Sequence, residues 1–235
     1  MRFRGKIVDI GCIQHFTRIV GTLSKLIRTC VLRITSGNWY FILSERAVNG
    51  GIQIWSELPQ GHFFDEYAME GVSEEDNEIF LELAPENLMK ALKTAQSAKW
   101  LKIKLTKKHT PCLTVEVDLP TLSAHSRTVV HDIPVTVIPR RLWTDFEEPE
   151  LPHFDVSIVS DKSGTDPMMN PSQDDRDPHT FFKTRIDIRK LSQLLASQQF
   201  NPTRVICNVV NNRTVHFLLL QDGVSLQYFM PVIAS

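Results

Sequence analysis

Glu74-Glu75-Asp76 and the eight histidines are the groups from which acid–base or metal chemistry would have to be built in this sequence. Their spacing argues against both. Three adjacent acids in a polar loop are far more often a solvated run than a set of metal ligands. His15, His109, His131 and His179 do not assemble a four-ligand zinc pattern. Cys12, Cys30, Cys112 and Cys207 lie too far apart for a metal knuckle or a redox pair, and each sits among apolar residues. They read as buried thiols in a reducing compartment. No serine or cysteine occupies a strand–turn–helix nucleophile elbow. The expectation is a chain without catalytic residues, metal or cofactor.

A second set of residues is more promising. Ile13, Phe16, Ile19, Val20, Leu23, Leu26 and Ile27 recur at three- and four-residue steps, which predicts a helix over 12–28. Its other side carries Gln14, Arg18, Gly21, Lys25 and Arg28. A second helix starts at Pro85, a residue suited to a first helical turn, with Leu88, Leu92 and Ala95 inward and Lys90 and Lys93 elsewhere. A third, 188–200, points Ile188, Leu191, Leu194 and Leu195 inward and adds Arg189 and Lys190. Acids are nearly absent from these faces, Glu86 at a helix start being the exception. Such residues commonly do no more than face water. Gathered on one surface, they would hold the phosphates of duplex DNA without reading bases.

The elements around these helices are strands. They are predicted at 3–9, 30–35, 39–44, 51–58, 62–69, 79–83, 100–106, 112–118 and 128–138, then at 154–159, 181–187, 204–209, 214–220 and 224–230. Ser36-Gly37-Asn38, Asn211-Asn212 and Asp222-Gly223 mark turns. One plan recurs: a strand, a helix, then an antiparallel meander, at 3–69, at 79–138 and at 181–230. Two such units per domain give an α+β layer, with helices on one face of antiparallel sheets. Residues 139–152 hold three prolines and no sustained period, and read as an extended connector. Residues 160–179, rich in Asp, Ser and Pro, read as a mobile loop. The expected division is 1–138, a connector 139–152, and 153–235.

Apolar residues are 42% of the 235, enough for a sizeable core, and the net charge is −1, so a nucleic-acid partner must be argued from a local face. No apolar run reaches the roughly 20 residues of a membrane helix. Met1-Arg2-Phe3-Arg4 leads directly into strand-like sequence, which suggests an intracellular chain, nuclear or cytoplasmic.

Several stretches resemble the Hus subunit family of the checkpoint sliding clamp. They are Phe3-Arg4-Gly5-Lys6-Ile7-Val8-Asp9, His15-Phe16-Thr17-Arg18-Ile19, Met69-Glu70-Gly71-Val72-Ser73 and Ala91-Leu92-Lys93-Thr94-Ala95-Gln96. Further matches are His131-Asp132-Ile133-Pro134, Val137-Ile138-Pro139-Arg140, Ile186-Asp187-Ile188-Arg189-Lys190-Leu191 and Val224-Ser225-Leu226-Gln227-Tyr228-Phe229. The resemblance covers residues 1 to about 159 and about 180 to 235. It implies a processivity-clamp fold and a heterotrimeric ring around duplex DNA with two other clamp subunits, the nine-one-one complex. It also implies a clamp loader, signalling to a checkpoint kinase, stimulation of repair enzymes, no catalysis and nuclear localisation. The family's connector lies over a partner-binding groove, which points to Arg140, Arg141, Leu142, Trp143 and Phe146 as partner contacts. This sequence departs from the family after Val159, where residues 160–179 stand in for a helix and several strands, on the order of 45 residues at usual element lengths. The second domain is therefore expected to be truncated, and ring closure by this chain is in question.

Overall fold

Asp9 starts the first helix by accepting a hydrogen bond from the Cys12 amide at 2.7 Å, and Ile27, in an extended conformation, ends it. The computed structural model describes residues 1–44, 51–121, 127–162, 182–197 and 199–233. The elements in order are β1 (Arg2–Ile7), α1 (Ile10–Leu26), β2 (Cys30–Ile34), β3 (Asn38–Ser44), β4 (Gln53–Pro59), α2 (Gln60–Phe63), β5 (Glu66–Glu70), β6 (Ile79–Leu83) and α3 (Pro85–Lys93). They continue with β7 (Trp100–Lys107), β8 (Pro111–Leu119), β9 (Arg127–Pro134), β10 (Thr136–Val137), a 3-10 turn (Arg140–Phe146), β11 (Val156–Asp161), α4 (Ile188–Ser197), β12 (Arg204–Val210), β13 (Thr214–Gln221) and β14 (Val224–Pro231).

The repeated units interlock rather than stand side by side. β1 keeps β5 of its own unit on one edge and takes β7 of the next unit on the other, while β6 pairs with β2. The result is a five-stranded sheet, β5-β1-β7-β8-β9, and a nine-stranded sheet, β10-β6-β2-β3-β4-β14-β13-β12-β11. Every pairing is antiparallel. The nine-stranded sheet is continuous across the middle of the chain because β4 pairs with β14, from Gln53 opposite Phe229 to Glu57 opposite Ser225.

All seven residues of the predicted α1 stripe are buried, and they pack with Leu88, Ala91 and Leu92 of α3 and with Leu194 of α4 in one core. That is the hydrophobic gain that holds the helix layer to the sheets. Phe63 and Phe64 belong to the same core; Phe64 packs its ring against Phe3, Phe16, Trp39 and Tyr67. The Asp222-Gly223 turn has both residues at positive φ, 48° and 79°, as a two-residue hairpin loop requires.

Some expectations need correction. Residues 60–63 make a helical turn, so the strand predicted at 62–69 is confined to β5. Residues 182–187 carry no strand, although their place before a helix matches that of β6. The reason is pairing: β6 is held by β2, and no counterpart of β2 pairs with 182–187 among the described residues. β11 extends to Asp161, into the start of the predicted loop at 160–179; residues 163–179 of that loop, and Phe181, lie outside the described residues. Ile188 and Leu195 do not face inward: they are 68% and 63% exposed, while Leu194 is buried and Leu191 is partly buried. The connector contains a 3-10 turn rather than extended chain throughout.

Candidate nucleic-acid and partner interfaces

α1 packs against α3 on one side and α4 on the other, so the three helices form one layer. Contact between α1 and α4 is specific. The Thr22 hydroxyl accepts hydrogen bonds from the Gln199 and Phe200 amides at 3.1 and 2.9 Å. Gln193 donates to the carbonyls of Lys25 and Leu26 at 2.9 and 3.3 Å. Gly21, placed on the outward stripe by sequence, is buried here: a Cβ would collide with the side-chain oxygen of Gln199.

Arg18, Lys25, Lys90 and Lys93 lie exposed on the solvent side of this layer, and Arg28 follows just past the end of α1 rather than on it. Arg189 is exposed and Lys190 is half-buried. The helices carry six basic residues (Arg18, Lys25, Lys90, Lys93, Arg189, Lys190) and one acidic one, Glu86. The whole chain has 26 basic and 27 acidic residues, so everything outside the helices holds 20 and 26. Positive charge is therefore concentrated on the helix layer. The six are not equivalent. Lys90 pairs with Glu86 at 2.9 Å, and Arg189 pairs with Asp187 at 3.3 Å. Each partner carboxylate has its pKa lowered, by the Lys90 ammonium and by the Arg189 amide and guanidinium respectively. Arg18, Lys25 and Lys93 have no ion pair among the described residues, and they are the ones with charge to offer a polyanion.

The connector lies on the opposite face of the nine-stranded sheet. There Val31, Ile42, Trp55, Phe80 and Ile138 form a second apolar cluster, capped by Tyr40, Trp143 and Phe146. Trp143 stacks on Phe80, with ring centres 4.5 Å apart, and its indole N–H donates to the Ile138 carbonyl at 3.0 Å. Arg140 pairs with Asp76 at 2.8 Å. Trp143 and Phe146 thus hold the connector down, while Arg141 and Leu142 remain exposed. Farther along, Glu148 accepts from Gln227, whose oxygen faces His216 Nε2 at 3.2 Å; His216 Nδ1 faces the Asn208 amide at 2.9 Å. His216 is buried between Phe154 and Phe229, and burial pushes its pKa down to about 4, so the ring is neutral.

Sequence reasoning missed this relay and one other cluster. His15 and His62 approach to 3.3 Å, and the Cys12 thiol donates to the His62 carbonyl. Burial, then Asp9, pushes the Cys12 thiol up to about 11, which keeps it protonated and unreactive. Burial also lowers the His15 pKa, with His62 adding to the effect. Nothing in the linear spacing signals that His62, 47 residues away, meets His15. Among the described residues no three His, Cys, Asp or Glu side chains converge to hold a metal, and no helix is long and apolar enough to cross a membrane.

Interlocked antiparallel sheets carrying a layer of basic helices, with an aromatic-anchored connector on the far face, define the class: a sliding-clamp fold. The solved structure of proliferating cellular nuclear antigen from Entamoeba histolytica matches 99% of this chain and 99% of its own, with a TM-score of 0.65 at 11% identity. The family is resolved by sequence: the chain belongs to the Hus1-like protein family, whose model matches residues 1–163 and 159–234. It is 46% identical to Checkpoint protein HUS1 of Homo sapiens over 280 positions that cover 100% of both chains. It is 31% identical to Checkpoint protein Hus1-like of Drosophila melanogaster over 162 residues, 67% of this chain and 58% of that one. Because the human alignment runs over 280 positions and this chain has 235 residues, 45 positions have no counterpart here. The two family matches meet at 159–163.

Proposed function

We propose that this chain is a non-catalytic component of the DNA-damage checkpoint clamp, acting in the nucleus with the two other clamp subunits. Its helix layer rests against duplex DNA without sequence preference. A clamp loader and repair enzymes are its further partners, with Arg141 and Leu142 on the connector as the exposed contacts. The reading divides the chain into a complete first domain, 1–138, a connector, 139–152, and a shortened second domain, 153–235. The observation that carries it is the gathering of Arg18, Lys25 and Lys93, without an ion pair among the described residues, on the basic helix layer of a near-neutral clamp-fold chain. Sliding requires weak, salt-sensitive contacts to phosphates and none to bases, which is what such a surface provides.

A full subunit of this kind closes a ring around DNA. A second reading, a clamp component that binds its partners without closing the ring, is favoured by the short stretch between β11 and α4. Only residues 162–187 lie there, 26 in all, whereas residues 8–84, 77 in all, separate β1 from α3 in the first half.

The test for the DNA-facing surface is a salt titration of duplex binding by the chain assembled with its clamp partners. Lys25→Ala and Lys93→Ala are each expected to reduce the log–log salt slope by about 0.9 for every phosphate no longer neutralised. Lys90→Ala and Arg189→Ala change it less, because their charges are already partnered. Unchanged slopes in all four variants would remove the helix layer from the DNA interface.

A further inference from the structure

The loop between β5 and β6, residues 71–78, is closed at its base and open at its tip. The Gly71 amide donates to the side-chain oxygen of Asn77 at 2.7 Å, and the Val72 amide donates to the Asp76 carbonyl at 3.1 Å. A Cβ on Gly71 would collide with the backbone of Asn77 and Glu78, so this close approach needs glycine. At the tip Ser73, Glu74 and Glu75 are exposed and belong to no helix or strand. The Ser73 hydroxyl accepts from the Asp76 amide at 3.1 Å and donates to Asp76 Oδ2 at 3.4 Å. That same oxygen pairs at 2.8 Å with Nη2 of Arg140, the first residue of the 3-10 turn in the connector. One carboxylate oxygen therefore stands between an exposed hydroxyl and the guanidinium that fastens the connector to this loop.

Glu74, Glu75 and Asp76 follow Ser73 directly, and no other serine in the chain has acids at all three following positions. On their own the acids make only a solvated run. Two features outside the run give it a use: an exposed nucleophile just before it, and a cation from a distant segment at its far end.

We propose that Ser73 is a phosphorylation site for an acid-directed serine kinase, and that the phosphate takes Arg140 over from Asp76. In the transfer the Ser73 oxygen attacks the γ-phosphorus of ATP. An O–P ester bond forms, the bond from that phosphorus to the ADP oxygen breaks, and the hydroxyl proton passes to the kinase's base. A kinase groove lined by Lys and Arg is complementary to three acids after the serine. Freeing the hydroxyl for that groove costs little, since both of its contacts are with Asp76. Charge decides the change of partner. A phosphoserine carries about −2 and three acceptor oxygens, against a single negative charge on Asp76, and the arginine fork binds phosphate through two parallel bonds. Asp76, left beside a dianion, is repelled from it. Arg140 immediately precedes Arg141 and Leu142, so the phosphate fastens the base of the exposed connector segment. The site stands without the clamp reading; only this last consequence for partners rests on it.

The experiment incubates the purified full chain with casein kinase II and magnesium ATP, maps phosphate by fragmentation mass spectrometry, and then follows brief trypsin cleavage after Arg140. Phosphate is expected on Ser73 of the folded chain. Cleavage after Arg140 is expected to slow about threefold on phosphorylation, the scale of one exposed ion pair. Asp76→Asn, whose Arg140 has lost its carboxylate, should be cut faster than the native chain without any kinase. Ser73→Ala should be cut alike before and after kinase treatment. Absence of phosphate on Ser73 would overturn the site. Phosphate there with unchanged cleavage would overturn the transfer of Arg140, as would slowing that persists in Ser73→Ala or equal cleavage of Asp76→Asn and the native chain. None of these results bears on the clamp reading, because no clamp partner is in the mixture.

Discussion

The two halves of this molecule use the same meander and the same helix position, yet they cover that helix differently. In the first half α3 lies beside α1 and buries Leu88, Ala91 and Leu92 completely. In the second, α4 reaches α1 only across the midline, buries Leu194, and leaves Ile188 and Leu195 in water. Periodicity is equally good in both helices. The difference teaches that an apolar stripe states what a helix would bury if a neighbour were supplied, and in the second half the described residues supply none for Ile188 and Leu195.

Four substitutions probe the contrast, beginning with the largest effect and ending with the smallest. Leu92→Ala is expected to lower unfolding stability by about 2–5 kcal/mol, because the site is closed on all sides and cannot collapse around the cavity. Leu194→Ala should cost less, near the lower end of that range, as one flank of α4 is open; equal losses in chemical denaturation would erase the asymmetry between halves. His216 tests the second half alone. Its folded pKa of about 4 lies below the 6.5 of an unperturbed histidine, so the unfolded chain takes up a proton first as pH falls. The stabilisation from keeping it neutral is intact above pH 6.5 and is lost between 6.5 and about 4, a change of about 3 kcal/mol. His216→Gln should flatten the fall of melting temperature across that window; an unaltered slope would mean another group governs it. Smallest of all, Leu195→Glu is expected to change stability by no more than about 0.5 kcal/mol, as for other exposed positions. A loss above about 2 kcal/mol would show that α4 is covered after all.

Much of this was legible beforehand, and the part that was not has a physical reason. The α1 stripe, the Pro85 start of α3 and the Asp222-Gly223 turn are local features, and local features are written in short windows of sequence. Charge on the helices was legible for the same reason. The exchange of β1 and β6 between sheets was not, because pairing partners lie up to a hundred residues apart and strand patterns do not name them. Nor could the connector's seat be read: Trp143 needs Phe80, and no spacing rule links the two. The inward assignment of Ile188 and Leu195 failed because it assumed a complete neighbourhood.

The ladder between β4 and β14, together with the hydroxyl of Thr22 that clasps the far end of α4, leaves this molecule without a waist. Flexing at the midpoint would strip several main-chain bonds at once, so the chain resists bending there as a plank does, not as a hinge. Heat should accordingly melt both halves in a single cooperative step. Any give in a larger assembly must then come from the seams between chains, not from within this one.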